Sequence, residues 1–142
     1  MECDHIPVLV DEVVDNLVTD ADGVYVDCTV GFGGHAKAIL SKLSKQGQLI
    51  GIDLDPYALE YTENLLSALQ KSYSLHKGNF REYPLLLQAL DVAKLTGILF
   101  DLGSSSSQLN TGYRGFSFQV DAPLDMRFNP NGNPNAEEFL NN

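Results

Sequence analysis

Val24-Tyr-Val-Asp27 is followed by Cys-Thr-Val-Gly-Phe-Gly-Gly34 and then by His35-Ala-Lys-Ala-Ile-Leu40. The first four residues, preceded by Gly23, are typical of a short β-strand, because valine and tyrosine favour pleated backbone. The glycine-containing stretch is typical of a loop, and residues 35–43 are typical of a helix. This part of the chain therefore predicts a strand, a glycine loop and a helix in succession.

The same succession recurs further along the chain. A second strand is predicted over residues 48–53, and Asp55-Pro56 supplies an N-cap and a first-turn proline for a helix that continues to about Gln70. The other predicted elements are an amphipathic helix between His5 and Val18, a strand over Ser72–His76, a helix over Phe80–Leu90 and a strand over Thr96–Asp101. Four strands that alternate with helices predict an α/β fold with a mostly parallel, helix-covered sheet.

The composition changes after Asp101. Residues 102–142 contain four glycines, three prolines and many asparagines, and they include the serine run Ser104–Ser107. Long segments of this kind are usually functional or disordered. We therefore divide a single domain into a core over about residues 5–101 and a loop-rich segment over about 102–142, in which a terminal helix is predicted only at Asn135–Leu140.

The charge of the chain limits the partners it can bind alone. The chain has 142 residues, 44% of them hydrophobic, which is enough for the core of one domain. It has 19 acidic and 9 basic residues, and eight carboxylates precede Lys37, the first lysine or arginine. Nucleic-acid binding by this chain on its own is disfavoured, because phosphate neutralisation requires a cationic surface.

Two cysteines are too few for a disulfide framework, and neither a signal peptide nor a membrane-spanning stretch is recognisable, so we expect a cytoplasmic location.

Chemistry-bearing residues follow each predicted strand. Ligands of open α/β sheets bind beyond the carboxyl ends of the strands, where the strand order reverses. Asp27 and the glycine loop follow the first strand, and such a loop lets a ligand approach the backbone and the free N–H groups of a helix N-terminus. Asp53 ends the second strand about 20 residues past Gly33, a spacing that suits a carboxylate binding ribose hydroxyls. With Gly78-Asn79-Phe80 after the third strand and Asp101 at the end of the fourth, these residues predict a ligand with a nucleoside and a compact polar tail.

Two cofactors fit that description. Gly31-x-Gly33-x-x-Ala36 satisfies the dinucleotide-binding fingerprint with alanine in the third place, which leaves an NAD-type ligand open. A pyrophosphate site normally begins its glycine turn directly at the strand end, whereas Asp27 and three further residues precede Gly31 here. An aspartate at that point repels a diphosphate but attracts the ammonium and sulfonium groups of S-adenosylmethionine. These residues therefore favour S-adenosylmethionine over NAD.

Six parts of the chain match a known family. They are His5-Ile-Pro-Val-Leu9, Asp27-Cys-Thr-Val-Gly-Phe-Gly-Gly-His35, Gly51-Ile-Asp-Leu-Asp-Pro56, Gly78-Asn-Phe-Arg81, Asp101-Leu-Gly-Ser-Ser-Ser-Ser-Gln-Leu109, and Arg114-Gly-Phe-Ser-Phe118 with Pro123-Leu-Asp-Met-Arg127. With them the chain resembles, over nearly its whole length, the bacterial small-subunit ribosomal RNA cytosine-N4 methyltransferases, the RsmH (MraW) family. The last two are the most specific, because general methyltransferases do not share them. The resemblance implies a Rossmann-like, class I S-adenosylmethionine-dependent methyltransferase fold.

The resemblance also implies a cofactor pocket. The matching positions are Gly33, Gly34 and His35 around the amino-acid part of S-adenosylmethionine, Asp53 at the ribose, Phe80 beside the adenine, and Asp101 with Gln108 to complete the pocket. No metal is expected. Asp53 and Asp55 resemble a metal-binding pair, but Asp55 is already explained as an N-cap.

The implied reaction transfers a methyl group to the exocyclic N4 of a cytidine in the ribosomal RNA of the small ribosomal subunit, and no catalytic residue is assigned. The family continues well past residue 142, so the chain resembles its N-terminal portion. The sheet is then expected to be incomplete, with an edge open to self-association or to a missing C-terminal portion. A non-catalytic remnant that binds S-adenosylmethionine without turnover is the alternative from a different functional class.

Overall fold

A computed structural model describes residues 7–105, 108–109, 111–132 and 134–142 of the chain. Residues 7–102 belong to one compact unit and residues 103–142 to another. Four residues of the family-matching segments lie outside the described residues: His5, Ile6, Ser106 and Ser107.

The first unit is built on a four-stranded sheet whose neighbouring strands are all parallel. The strands are β1 (Val24–Asp27), β2 (Gln48–Asp53), β3 (Ser72–Lys77) and β4 (Gly97–Leu99). Their spatial order is β3-β2-β1-β4, so two strands are added on one side of β1 before the chain crosses to its other side. The predicted parallel α/β sheet is confirmed, and the strand order reverses between β1 and β4.

Helices connect the strands close to the predicted positions. The helices of this unit are α1 (Val10–Leu17), α2 (Gly34–Lys42), α3 (Pro56–Leu66) and α4 (Tyr83–Ala89), with 3₁₀ turns at Ser67–Leu69 and Phe80–Glu82. The predicted amphipathic helix lies between His5 and Val18, as expected, and begins at Val10. Leu9 has a left-handed backbone with φ 54°, a conformation that cannot continue a right-handed helix.

The helix that follows β2 begins as predicted and ends earlier. Asp55 is its N-cap, and the Asp55 carboxylate accepts a hydrogen bond from the Tyr57 N–H at 3.1 Å. The predicted extension to about Gln70 was wrong, because the chain tightens into a 3₁₀ turn after Leu66. Gln70 itself is left-handed, with φ 51°, and this conformation ends the turn.

Side chains alternate along the strands between two apolar cores, as the two-residue period of a strand requires. On one face, Tyr25 and Leu49 pack against α1, α2 and α3 in a cluster with Val14, Val30, Ala36, Ile39, Leu40, Leu43 and Leu66. On the other face, Val26, Ile50 and Ile52 pack with Cys28 and the side chains around α4. β1 and β2 are buried over most of their length, so their last residues, Asp27 and Asp53, are held by a core on both faces.

The second unit, residues 103–142, has a 3₁₀ turn at Gly112–Arg114 and a helix, α5 (Ala136–Asn141), among its described residues. The predicted terminal helix is confirmed, with Asn135 as its N-cap. The Asn135 side chain accepts the Glu138 N–H at 2.7 Å, and the Glu138 carboxylate accepts the Asn135 N–H at 3.0 Å. This is a capping box.

Two arginines make several hydrogen bonds within the second unit. The buried Arg114 donates from Nη2 to the carbonyl oxygens of Arg127 at 3.0 Å and Phe128 at 2.9 Å. Arg127 donates from Nη2 and Nε to the Asp125 carboxylate, with the shorter bond at 2.6 Å, and from Nη1 to the Gly132 carbonyl at 2.6 Å. The hydrogen bonds from Arg127 hold the pKa of Asp125 below its ordinary value.

Candidate cofactor-binding site

Three carboxylates meet at the carboxyl ends of neighbouring strands. Asp27 is the last residue of β1, Asp53 is the last residue of β2, and Asp101 lies two residues beyond β4. In the register of the sheet, Asp27 pairs with Gly51 of β2 and with Leu99 of β4. The negative charges of Asp53 and Asp101 both raise the pKa of Asp27, although burial is the larger cause. The structure thus brings three acidic groups together at the point where the strand order reverses.

Asp27 is the most deeply buried of the three, with 1% of its surface exposed. Its Oδ1 accepts the Thr29 N–H at 3.1 Å. Its Oδ2 is also buried and has no hydrogen-bond partner in the described part of the chain. Burial raises the pKa of Asp27 from 3.8 to about 7, so this carboxyl group titrates near neutral pH.

Asp53 is half-buried and is fixed by two backbone groups. Its Oδ2 accepts the Gly31 N–H at 2.8 Å, and its Oδ1 accepts the Asp55 N–H at 2.9 Å. Burial raises its pKa above the ordinary value, while these two hydrogen bonds oppose the shift. Each oxygen keeps a further lone pair. The orientation of Asp53 therefore suits the predicted ribose contact, which stays a prediction.

Gly33 and Gly34 are required by contacts within the chain. Gly33 is left-handed, with φ 79°, and a Cβ there would lie 2.8 Å from Cγ2 of Thr62. A Cβ on Gly34 would overlap the ring of Pro7. Gly33 is also the N-cap of α2 and has no side chain to occupy the first-turn N–H groups, which a helix leaves without intrahelical partners. These two glycines thus combine tight packing with an open helix N-terminus.

The side chain of His35 is turned into the protein. His35 is buried in the first turn of α2, and its Nε2 lies 2.9 Å from the Val8 carbonyl oxygen. Because a carbonyl only accepts hydrogen bonds, Nε2 carries the hydrogen. The other nitrogen, Nδ1, lies 3.6 Å from Oδ2 of Asp101. The ring therefore contacts Val8 and Asp101, so the predicted cofactor contact of His35, which stays a prediction, would come from its backbone.

Thr29 is a residue of this site that the sequence reasoning missed. Its Oγ1 accepts the Asp101 N–H at 2.7 Å, while its own N–H donates to Asp27. The side chain thus joins the end of β1 to the end of β4. The Asp27-Cys-Thr29 spacing is typical of an aspartate that binds a backbone N–H two residues on, and this was the available signal.

Phe80 begins the 3₁₀ turn after β3 and is half-buried. Its ring packs edge-on against Phe100, with 6.0 Å between the ring centroids, and it contacts the core on the Val26 face of the sheet. Asn79 caps the turn by accepting the Arg81 N–H at 3.0 Å. Phe80 therefore has a packing role, and its predicted place beside the adenine stays a prediction.

Gln108 belongs to the second unit and is 5% exposed. Its side-chain oxygen accepts the Ser105 N–H at 2.9 Å, and its own N–H donates to the Ser105 hydroxyl at 3.2 Å. The predicted participation of Gln108 in the cofactor pocket stays a prediction.

The arrangement has the electrostatics of a cation-binding site beside an anion-binding helix end. The carboxylates favour a positive group, and the N-terminus of α2 favours a negative one. Among the described residues, no group of three or more His, Cys, Asp or Glu side chains is arranged to hold a metal ion.

In the same part of the chain, no helix has the length and apolar character needed to cross a membrane.

A solved structure shares the fold of the chain. NSun6 from Pyrococcus horikoshii, solved with SFG, matches with a TM-score of 0.53 and 26% sequence identity. The match covers 67% of this chain and 24% of that one. The Rossmann-like methyltransferase fold predicted from the sequence is thereby confirmed.

Sequence relatives match the chain from end to end. A relative from Clostridium botulinum, named ribosomal RNA small subunit methyltransferase H, is 48% identical over 142 residues, which are 100% of this chain and 46% of that protein. A relative of the same name from Fervidobacterium nodosum is 50% identical over 139 residues, covering 96% of this chain and 47% of that protein. The chain therefore spans less than half the length of these relatives. The sequence model of the MraW methylase family matches residues 2–142, and the chain belongs to that family.

Proposed function

We propose that this chain binds S-adenosylmethionine at the carboxyl ends of β1, β2 and β4. We further propose that the chain is part of an enzyme that methylates the exocyclic N4 of a cytidine in small-subunit ribosomal RNA. The observation that carries the proposal is the buried carboxyl group of Asp27 beside Asp53 and Asp101, at the reversal point of the strand order. Family membership supplies the reaction class.

The charge of the site supports S-adenosylmethionine over a dinucleotide. S-adenosylmethionine has a positive sulfonium and a positive ammonium, whereas NAD has a negative diphosphate. The three acidic groups, when ionised, attract the first ligand and repel the second, and the low dielectric around the buried Asp27 strengthens both effects. SFG, which the NSun6 structure contains, is an S-adenosylmethionine analogue, and this supports the same choice.

The remaining parts of that ligand have matching groups in the site. Asp53, held by the Gly31 and Asp55 N–H groups, has oxygen lone pairs for the ribose hydroxyls. The uncapped first turn of α2, where Gly34 lies, offers N–H groups to the carboxylate of the amino-acid part. The residues present therefore fit the cofactor.

When bound, S-adenosylmethionine supplies a methyl group on a positively charged sulfur. The amino group of cytosine is a weak nucleophile, so the protein must orient it and localise its lone pair by hydrogen bonds. Asp101 has the more open carboxylate, with 45% of its side chain exposed, and Asp27 is closed off by the core. Asp101 is therefore placed to meet a group that enters from solvent.

We assign the RNA-binding surface mainly to the part of the relatives that this chain does not cover. The net charge of −10 opposes binding of RNA phosphates by the chain alone. The curated relatives are about twice as long and are named for small-subunit ribosomal RNA. Because the proposed substrate is the small ribosomal subunit, we propose that the protein is located in the cytoplasm.

A chimera tests the proposed function. The matching part of the Clostridium botulinum relative is replaced by this chain, and transfer of a labelled methyl group to small ribosomal subunits is measured. We expect label on N4 of a cytidine and loss of label with Asp53→Ala. A folded chimera that binds S-adenosylmethionine without transferring the methyl group would contradict the proposal and favour the non-catalytic remnant.

A further inference from the structure

Asp27 has one satisfied and one unsatisfied carboxyl oxygen, although both are enclosed. Oδ1 accepts the Thr29 N–H, whereas the buried Oδ2 has no partner in the described part of the chain. A buried carboxylate oxygen without a hydrogen-bond donor is costly. Two states remove that cost: a proton on the carboxyl group, or a positively charged ligand beside it.

Within the described ranges of the chain, the groups that act on Asp27 supply no positive charge. The charged groups that act on it are Asp53 at the end of β2 and Asp101 after β4, and both are acidic. Cys28, the next residue, has a thiol pKa raised to about 12 by burial and by Asp27, so it stays neutral. His35 of α2 faces Asp101 at 3.6 Å. The surroundings therefore favour the protonated form of Asp27 when the ligand is absent.

We propose that Asp27 exchanges its proton for the positive charge of the cofactor. The inference rests on the proposed binding of S-adenosylmethionine and adds a property of the same site. In slightly acidic solution the Asp27 carboxyl group of the free protein holds a proton. When the ligand binds, the O–H bond of Asp27 breaks, the proton passes to the buffer, and the resulting carboxylate faces the ligand's ammonium or sulfonium. Cofactor binding and proton release are then one coupled equilibrium.

The coupling has a measurable consequence for affinity. A ligand that requires the ionised form binds more tightly as the pH rises towards the pKa of Asp27, which is about 7. Between pH 5.5 and pH 6.5 the association constant is expected to rise up to about tenfold per pH unit and to level off above neutrality.

Calorimetry with S-adenosylmethionine in two buffers of different ionisation enthalpy tests the proposal on the unmodified chain. At pH 6.5 we expect the apparent binding enthalpy to differ between phosphate and imidazole buffers by an amount that corresponds to release of most of one proton per ligand. Equal enthalpies and a flat affinity from pH 5.5 to 7 would overturn the proton exchange and leave cofactor binding intact. Absence of binding at every pH would overturn the proposed function as well.

A second ligand distinguishes the two positive groups. S-adenosylhomocysteine keeps the ammonium and lacks the sulfonium. Proton release with both ligands assigns the ammonium as the partner of Asp27. Release with S-adenosylmethionine alone assigns the sulfonium. Release with neither overturns the proposal.

Asp27→Asn is the matched variant, because the amide oxygen can still accept the Thr29 N–H while the group no longer titrates. We expect binding about 10- to 100-fold weaker, independent of pH between 5.5 and 7, and without proton release. Asp101→Asn is the control, since it removes a negative charge from the same site and should retain the release. Circular dichroism of both variants confirms folding. Full proton release by Asp27→Asn would overturn the proposal.

Discussion

His35 Nδ1 lies 3.6 Å from Asp101 Oδ2, and the opposite nitrogen of the same ring donates to the Val8 carbonyl at 2.9 Å. One buried side chain therefore connects the start of α2 to the end of β4 and to the segment before α1. The contact between His35 and Asp101 lies at the point where the strand order reverses. Asp101 is fixed again by its backbone N–H, which donates to Thr29.

Removing the His35 ring should loosen this connection. We expect His35→Ala to lower the free energy of unfolding by about 1–3 kcal/mol, because the Val8 carbonyl loses a buried donor, and to weaken S-adenosylmethionine binding. Urea unfolding and calorimetry measure the two effects. His35→Gln, which retains an N–H donor, should lose less of both. Equal losses in the two variants would show that the hydrogen bond to Val8 contributes neither to the free energy of unfolding nor to binding.

The stability of the chain should depend on pH through Asp27. The folded-state pKa is about 7 and the ordinary value is 3.8, so the folded state keeps a proton that the unfolded state has lost between these values. Stability therefore falls as the pH rises from about 4 to about 7, by a penalty on the order of 3 kcal/mol.

Asp27→Asn should remove that penalty. The variant should be more stable than the unmodified chain at pH 7.5 and nearly equal to it at pH 3.8, as measured by chemical unfolding at each pH. A constant difference across this range would show that the Asp27 carboxyl group titrates normally.

The contact between Gly34 and Pro7 should make Gly34 intolerant of a side chain. Gly34→Ala forces a methyl group into the Pro7 ring, and we expect a loss of about 1–3 kcal/mol in the free energy of unfolding. Gly103→Ala is the control, because a Cβ there has no neighbour within 4 Å. Thermal unfolding of both variants measures the difference. Equal stabilities would contradict the packing of Pro7 on the glycine loop.

The local stability of the second unit should depend on the forked guanidinium group of Arg127. Arg127→Lys keeps the charge but cannot reproduce the paired hydrogen bonds to Asp125 and the bond to the Gly132 carbonyl. We expect faster amide hydrogen exchange in residues 111–132, measured by mass spectrometry, with little change in β1 and β2. Because the pKa of Asp125 is lowered, the same loosening should occur in the unmodified chain only as the pH falls below about 4. Unchanged exchange in the lysine variant would contradict this role.

The strands were predictable because their signals are local. Gln48–Asp53 was predicted with the bounds that the structure has, since a buried apolar run lies between turn residues. The N-cap of α3 was also predictable, because Asp55 binds an N–H two residues away. The end of that helix was not, since nothing in the local composition requires the left-handed backbone of Gln70.

The acids of the site could be placed from the sequence, but their chemical states could not. The spacing of Asp27 and Asp53 after their strands put both at one edge of a parallel sheet. That Asp27 is closed off, with an unsatisfied Oδ2, depends on two cores packed against β1. The packing of Pro7 on Gly34 and of Thr62 on Gly33 likewise joins residues far apart in the chain, which no local pattern indicates.

The most direct test of cofactor binding at this acidic strand edge is calorimetric titration of the chain with S-adenosylmethionine at pH 7.5, with NAD as the comparison ligand. We predict one-to-one binding of S-adenosylmethionine, weakened at least about tenfold by Asp53→Ala and unchanged by Glu60→Ala, an exposed carboxylate on α3. NAD should give no binding heat. Binding of NAD, or no heat with S-adenosylmethionine at millimolar concentration, would contradict the account.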